Sequence, residues 1–284
     1  MNVRRTLVVN ADDLGLTLGV NDGIFHAHDR GILTSASLMA NAPAAANAIR
    51  GLRNRPALGI GVHLTLVDGT STLPPDRVPT LVDDDGRFRA SWNPFIVACL
   101  LGRVSMQDVE RELTAQIECL VFEGINVTHL DAHKHVHVYP PVFEVVARLA
   151  ERFRIPVIRV PYEGTMADLP LFGWAQRDYR LAASRGIATP QFVGRKMTGV
   201  MTEETLATAI RQLRSGHTEL MVHPGYVDDA LRQMPTRLLA SRETEVALLT
   251  SRAISQLIAA ENIHLVPSGL GIDLTSIRSY RNAS

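Results

Sequence analysis

Short apolar strands alternate with helical patterns along this 284-residue chain, and the alternation limits the fold more than any other feature. Repeated β–α units predict parallel strands, because each crossover helix returns the chain to the same end of the sheet. About seven units follow one another, and they suit either a barrel or an open, doubly wound sheet. The predicted strands are residues 6–10, 33–40, 58–66, 126–132, 156–160, 219–224 and 263–267.

Helical periodicity fills most of the segments between these strands. Residues 67–104 form a long connection rich in Pro, Asp and Gly, and residues 161–200 have no regular pattern. The first strand is followed by "ADDLG" and not by a G-x-G-x-x-G turn, so a dinucleotide site has no support. We predict one domain over residues 1–284 with an insertion-like connection at 67–104. The predicted helices are residues 19–31, 43–53, 105–124, 140–153, one from about 203, and 241–260.

Composition excludes several classes of protein. Apolar residues make up 46% of the chain, which argues against disorder. Lys plus Arg equals Asp plus Glu at 29 each, so no basic excess indicates nucleic acid or an anionic membrane. Cys99 and Cys119 are predicted to be buried thiols in a reducing cytoplasm. No signal peptide is expected from "MNVRRTLVVNADD", and the longest apolar run, 95–101, is too short to span a bilayer.

Polar residues collect where the predicted strands end. The carboxyl ends of parallel strands meet at one rim, which is where reactive groups of βα proteins lie. Five strands deliver a carboxylate, an imidazole or a guanidinium to this rim, and we expect an active site there. The residues concerned are Asn10, Asp12, Asp13, His63, Asp131, His133, Arg159 and His223.

Asp12 and Asp13 follow the first strand directly. They could form a solvated turn or cap a helix, as aspartate often does. Alternatively, one binds a cation while the other takes protons, because adjacent residues of an extended segment point in opposite directions.

The stretch "THLDAHKHVH", residues 128–137, contains four of the ten histidines. If it is extended, its odd-numbered residues from 129 to 137 share one face over roughly 26 Å, which is too long for one ion to bind them all. His133 lies where the strand should end and is the best ligand candidate, with Asp131 placed to hold a ligand imidazole. His129 is predicted to be a core residue. His137 could be a surface residue at a helix entrance.

His63 is a single histidine in an apolar strand, and alone it would suggest packing. Together with Asp13 and His133 it completes a set of three ligands, which leaves a position for water as in catalytic metal sites. Imidazole with carboxylate suits Zn²⁺, Co²⁺, Ni²⁺ or Fe²⁺ better than Mg²⁺. The expected cofactor is therefore a divalent metal ion, with zinc preferred and magnesium, cobalt or nickel as alternatives.

Five motifs resemble the YdjC-type carbohydrate deacetylases: "VVNADDLGLTLGVNDGI", "GILTSASLMAN", "GIGVHLTLVDG", "THLDAHKHVHVYP" and "ELMVHPGY". The resemblance implies a distorted, TIM-like (β/α) barrel with about seven parallel strands, a divalent metal, and removal of N-acetyl groups from amino sugars. By position it implies Asp13, His63 and His133 as metal ligands and Asp12 as general base. The connection at 67–104 and the later "FGW" are similar to a branch associated with hopanoid biosynthesis, which implies an N-acetylglucosaminyl hopanoid substrate.

The remaining site residues receive roles from the chemistry that hydrolysis of an amide requires. His223 is the candidate general acid for the departing amine, although it could be an ordinary turn histidine. Arg159 could hold Asp12 ionised or form a structural ion pair. Asp131 and His135 are expected beside the ligands or the substrate.

Other functions stay open at this point. The alternatives are a deacetylase of soluble chitooligosaccharide and a non-catalytic, metal-containing protein that binds sugar-lipids, whereas a two-metal phosphoesterase is disfavoured by the shortage of carboxylates. The expected partner is an N-acetyl amino sugar or glycolipid, without nucleic acid and without a transmembrane segment. Apolar segments around 91–101 and 166–174 are expected to be lids. Contact with the inner membrane surface and a homodimer stay open for a cytoplasmic protein.

Overall fold

The structure is a computed structural model that describes residues 4–164 and 169–270. Contacts group the described residues into two compact units. The first unit contains residues 4–38, 43–60 and 190–270, and the second contains residues 39–42, 61–164 and 169–189.

Within the described residues, seven strands form a sheet with the order β4-β3-β2-β1-β6-β5, and β7 pairs with β1. The pairs of β1 with β2, β6 and β7 are parallel, and so is the pair of β5 with β6. The strands are β1 (Arg5–Leu14), β2 (Ser35–Leu38), β3 (Gly59–Leu64), β4 (Val127–Ala132), β5 (Gln191–Val193), β6 (Gly216–Val222) and β7 (His264–Leu265).

Helices occupy most of the connections, and local sequence explains several of their ends. The Thr17 side chain accepts a hydrogen bond from the Val20 N–H and begins the first helix, and Pro140 begins the fifth at a position that favours proline. The helices are α1 (Leu18–Arg30), α2 (Ala45–Leu52), α3 (Trp92–Leu100), α4 (Met106–Phe122), α5 (Pro140–Phe153), α6 (Leu169–Ser184), α7 (Glu203–Arg211), α8 (Asp229–Arg232), α9 (Ala240–Leu249) and α10 (Arg252–Ala260).

Strand β1 is the centre of the first unit. It pairs with β6 from Arg5 opposite Gly216 to Ala11 opposite Val222. All residues from Leu7 to Leu14 are buried, which explains why the strand is apolar on both faces before its acidic end. The pairing of β1 with β2 becomes irregular between Ala11 and Leu14, and this is where the two aspartates lie.

The connection at 67–104 is fixed to α4 by three buried polar side chains spaced four residues apart. Asp108 accepts the Thr80 N–H, and Glu112 accepts the N–H groups of Thr72 and Leu73. Gln116 exchanges two hydrogen bonds with the backbone of residue 65. The connection is therefore an ordered part of the second unit, although its sequence suggested only a long insertion.

Several predicted elements are corrected by the structure. The predicted strand 156–160 is reduced to single bridges that Val157 and Ile158 make, and the irregular region 161–200 contains α6 and β5. The predicted helix 241–260 is two helices, because the Leu249 carbonyl accepts a hydrogen bond from the Ile32 N–H and the chain turns there. Part of the 166–174 segment lies outside the described residues.

The two cysteines and the apolar run 95–101 are less buried than their sequence suggested. Cys99 and Cys119 are free thiols, as expected, but they are half-buried and not buried. The run 95–101 falls largely in α3, which buries Phe95 and exposes Leu100. Among the residues that the structure describes, none of the helices has the length and apolar character needed to cross a membrane.

Candidate active site

The two aspartates at the end of β1 are buried, so the solvated-turn interpretation is wrong. Asp12 is 2% exposed and Asp13 is 3% exposed. Asp13 has a φ of 67°, in the left-handed region that residues other than glycine rarely adopt. The simple alternation expected of an extended segment therefore ends here. The Asn10 side-chain amide donates to Asp12 Oδ1 over 3.1 Å and to Ser37 Oγ over 2.8 Å, which helps to orient Asp12.

Helix α9 places two charged side chains, Arg242 and Glu245, beside the ends of β1 and β6. Arg242 forms an ion pair with Asp13, with 2.6 Å between one terminal guanidinium nitrogen and Asp13 Oδ2. Glu245 accepts a hydrogen bond from the backbone N–H of His223, the residue that follows β6. Burial raises the pKa of Glu245 to about 7, although the His223 N–H and Arg242 act in the opposite direction.

In the second unit, Asp131 lies between His63 and Arg159. Asp131 Oδ1 is 2.8 Å from His63 Nδ1, and its Oδ2 is 2.8 Å from a terminal nitrogen of Arg159. All three side chains are at most 2% exposed. Burial alone would raise the pKa of Asp131, but the charges of Arg159 and His63 outweigh it and lower the pKa. The carboxylate thus accepts from Nδ1, and Nε2 is the ring nitrogen through which His63 can bind a cation.

The histidine-rich stretch does not continue as a strand. Strand β4 ends at Ala132, and residues 133–138 form a tight turn in which Lys134 and His135 have φ values of 51° and 54°. The predicted common face of residues 129–137 is therefore wrong beyond His133. The rings of His133 and His63 meet edge to face with their centroids 5.5 Å apart. Both imidazoles can thus serve one site in this unit.

The other histidines of the turn have different surroundings. His129 is 2% exposed, as expected for a core residue. His137 is completely buried, so the surface interpretation is wrong, and its Nε2 donates to the Arg159 carbonyl over 2.8 Å. Burial lowers the pKa of His137 to about 4 against the effect of that hydrogen bond, so its ring is neutral at pH 7. Burial also lowers the pKa of His135 well below its ordinary value.

In the part of the chain that the structure describes, aspartate and histidine side chains form two groups that could hold a metal ion. One group is Asp13, His63 and His133, and the other is Asp12, His63 and Asp131. In each group one ligand atom per residue lies within 4.8 Å of the others. A mixed imidazole and carboxylate donor set fits zinc, cobalt or nickel better than magnesium. In the second group both oxygens of Asp131 are engaged, one by His63 and one by Arg159, whereas in the first group Arg242 engages Oδ2 of Asp13. The first group is therefore the better candidate.

Sequence comparison decides the family. The profile of the YdjC-like protein family matches residues 6–260. The chain belongs to the YdjC-like family. A protein named carbohydrate deacetylase from Brevibacillus brevis is 35% identical to this YdjC-like chain over 261 residues, covering 92% of this chain and 97% of the relative. A carbohydrate deacetylase of Geobacillus stearothermophilus is also 35% identical, with coverages of 92% and 96%.

A solved structure resembles this YdjC-like protein closely. It belongs to a proposed cellobiose-phosphate cleavage protein from Enterococcus faecalis V583, with a TM-score of 0.79 and 27% identity. The likeness covers 93% of this chain and 98% of the other. Together with the parallel sheet, it confirms the predicted fold class, a distorted TIM-like (β/α) barrel with about seven strands.

Three residues of this YdjC-like site were not identified from the sequence. Arg242 and Glu245 lie in a helix whose sequence looks ordinary, and their partners are far away along the chain. Asp68, with a φ of 55°, binds the Lys134 ammonium over 2.5 Å and lies 3.8 Å from His133 Nε2. Hydrogen bonding to His133 lowers the pKa of Asp68 against the effect of burial, and Lys134 lowers it further. The one indication available was that two charged residues, Arg242 and Glu245, lie on the same face of α9 as the apolar residues Val246 and Leu249.

Proposed function

We propose that this protein is a carbohydrate deacetylase that hydrolyses the N-acetyl group of an amino sugar and depends on a divalent metal. The support that carries the proposal is the family match, which spans every candidate site residue and includes relatives named carbohydrate deacetylase. The aspartate and histidine groups add the chemistry that hydrolysis of an amide needs.

The proposed metal ligands are Asp13, His63 and His133, and zinc is the preferred ion. A bound cation would act as a Lewis acid on the acetyl carbonyl and make water a better nucleophile near neutral pH. The ion pair of Asp131 with Arg159 keeps Asp131 ionised, so Asp131 holds His63 in the tautomer that presents Nε2. Three protein ligands leave room for water and substrate, as catalytic sites require.

The proposed proton transfers use Asp12 and His223. Asp12 takes a proton from water as the water oxygen bonds to the carbonyl carbon. His223 donates a proton to the amide nitrogen as the C–N bond breaks, so acetate and a free amino sugar leave. Asn10 orients Asp12, and the bond from His223 N–H to Glu245 fixes the backbone of His223. The predicted contact of Arg159 with Asp12 stays a prediction, whereas the contact of Arg159 with Asp131 is present.

For the substrate we propose N-acetylglucosamine linked to a hopanoid lipid, and soluble chitooligosaccharide is the second candidate. Support comes from α3, in the connection that suggested the lipid branch. Its Val97 and Leu100 are 54% and 71% exposed, and the following Leu101 is 59% exposed. An exposed apolar surface of this kind suits a lipid aglycone or the membrane surface.

The deciding experiment measures acetate release from N-acetylglucosaminyl lipid and from chitobiose, with and without a chelator. We expect release from the lipid substrate, loss of activity with the chelator, and recovery when Zn²⁺ is restored. If metal-loaded protein releases no acetate from any N-acetyl sugar, the deacetylase proposal is wrong and a binding protein becomes the better interpretation. Activity on chitobiose alone would reject the lipid substrate.

Asp12→Asn separates the roles of the two aspartates. The amide cannot take a proton, so we expect turnover to fall by about 10²–10⁴-fold, the usual contribution of a general base. Bound zinc, measured by atomic absorption after dialysis, should stay near the wild-type amount. Loss of the metal from this variant would mean that the two aspartates have exchanged roles.

A further inference from the structure

We propose that Arg242 is a positioning residue that holds one carboxylate oxygen of Asp13, so that Asp13 can bind a cation only through its other oxygen. The inference rests on the proposed metal site. No motif of the sequence singled out Arg242, and the number of ligand atoms around a bound cation can be measured without turnover.

The contact is short and shielded from water. A terminal nitrogen of Arg242 lies 2.6 Å from Asp13 Oδ2, and the two side chains are 2% and 5% exposed. Arg242 is among the largest fully buried side chains that the structure describes. Charge-assisted hydrogen bonds are stronger than neutral ones, and water does not compete for either group at this buried position.

The guanidinium cannot follow Asp13 if the carboxylate turns, because the arginine is held at other points. Its Nε donates to the Leu238 carbonyl over 3.2 Å. Its second terminal nitrogen lies 3.5 Å from the His223 carbonyl, which is at the limit of a hydrogen bond. The planar fork of arginine fixes direction as well as distance, and the ammonium of lysine does not.

Asp13 itself needs this support. Its φ of 67° places it in a region that costs a residue other than glycine on the order of 1 kcal/mol, and such a conformation persists only when surrounding contacts hold it. With Oδ2 engaged by Arg242, Oδ1 is the oxygen that can face a cation. Two imidazoles and one carboxylate oxygen then make three protein ligands.

Helix α9 ties the same support to the end of β6. Glu245, three residues after Arg242, accepts the His223 N–H, and the Arg242 carbonyl accepts the Gly225 N–H over 3.3 Å. One turn of one helix therefore holds both Asp13 and the backbone around His223. This explains why a buried arginine occurs in a helix whose sequence otherwise looks like a routine connection.

The test uses Co²⁺ alone as the probe, added to the metal-free full-length protein, with its visible absorption measured. Wild type should give the intense bands of a low-coordinate site. In Arg242→Met no donor remains at this position and both oxygens of Asp13 can bind, so the coordination number rises and the molar absorptivity should fall by roughly twofold or more. Arg242→Lys keeps a cation near Asp13 but not the fixed direction of the guanidinium, so its spectrum should lie between those of wild type and Arg242→Met. Val246→Ala, a buried change on the same helix, should also keep it.

The outcomes separate this inference from the proposed function. If wild type takes up no Co²⁺, the proposed metal site is wrong. If wild type binds Co²⁺ and Arg242→Met gives the same spectrum, the role of Arg242 is wrong. If Arg242→Met does not fold, X-ray absorption of Co²⁺-loaded wild type decides the question. One oxygen from a carboxylate supports the inference, and two from the same carboxylate overturn it.

Discussion

Replacing Asp131 by asparagine should destabilise the protein far more than replacing Asp131 and Arg159 together. Asp131 is completely buried, Arg159 is 1% exposed, and 2.8 Å separates their charged atoms. Removing the carboxylate alone leaves a buried guanidinium without this partner, and such a loss typically costs about 3–5 kcal/mol. The asparagine side-chain oxygen can still accept from His63 Nδ1, so the histidine contact contributes little to the difference.

The double variant Asp131→Asn with Arg159→Met removes both charges, and methionine fills much of the space of the arginine stem. Replacing a buried ion pair by uncharged groups is often close to neutral, so we expect a loss of about 2 kcal/mol or less. The assay is equilibrium urea unfolding, followed by circular dichroism on chelator-treated wild type, both single variants and the double variant. The coupling free energy should be at least about 2 kcal/mol. Additive single effects would refute the reasoning, because they would mean that Arg159 does not depend on Asp131 for its neutralisation.

Two further predictions concern stability. Asp178 is completely buried, and burial raises its pKa from 3.8 to about 8 against the effect of Arg177. The folded state therefore keeps a proton that the unfolded state has lost, so this group makes stability fall as pH rises from about 4 to about 8. Asp178→Asn should remove that slope and gain at least about 1 kcal/mol at pH 8 relative to pH 5 in urea unfolding, and an unchanged slope would contradict it. Glu112→Ala removes the acceptor of the Thr72 and Leu73 N–H groups and should cost about 2–3 kcal/mol and speed tryptic cleavage within 67–104. Glu110→Ala, which breaks the exposed pair with Arg148, is the matched control and should cost less than about 1 kcal/mol without faster cleavage.

The parts of the fold that follow from the sequence are those with a long, regular pattern. Strand β1 is buried on both faces and has a continuous apolar run, and α4 shows an amphipathic repeat over 17 residues. Short elements were missed for the opposite reason. Strand β5 has three residues, and its pairing with β6 comes from the sheet and not from local preference.

The candidate site could be predicted only where its residues lie at strand ends. Asp13, His63 and His133 follow from the rule that parallel strands end at one rim. No such rule predicts the role of Arg242. Its partner Asp13 is 229 residues away along the chain, and the sequence does not distinguish a buried arginine from a surface arginine. Asp68 was missed for a similar reason. Nothing in the sequence distinguishes an aspartate with a left-handed backbone conformation from an aspartate in an ordinary turn.

The histidine-rich turn shows why side-chain periodicity fails at this site. Two consecutive residues, Lys134 and His135, adopt left-handed backbone conformations, and each costs on the order of 1 kcal/mol. The contacts that stabilise them lie outside the turn: Lys134 binds Asp68, and His137 donates to the Arg159 carbonyl. A straight strand would carry residues 133–137 away from the sheet edge at about 3.3 Å per residue. The turn instead ends β4 at the residue before His133, which keeps that ring beside His63. The strained turn thus keeps His133, at the end of β4, beside His63 of the neighbouring strand β3, and a strand that continued through residues 133–137 would not do so.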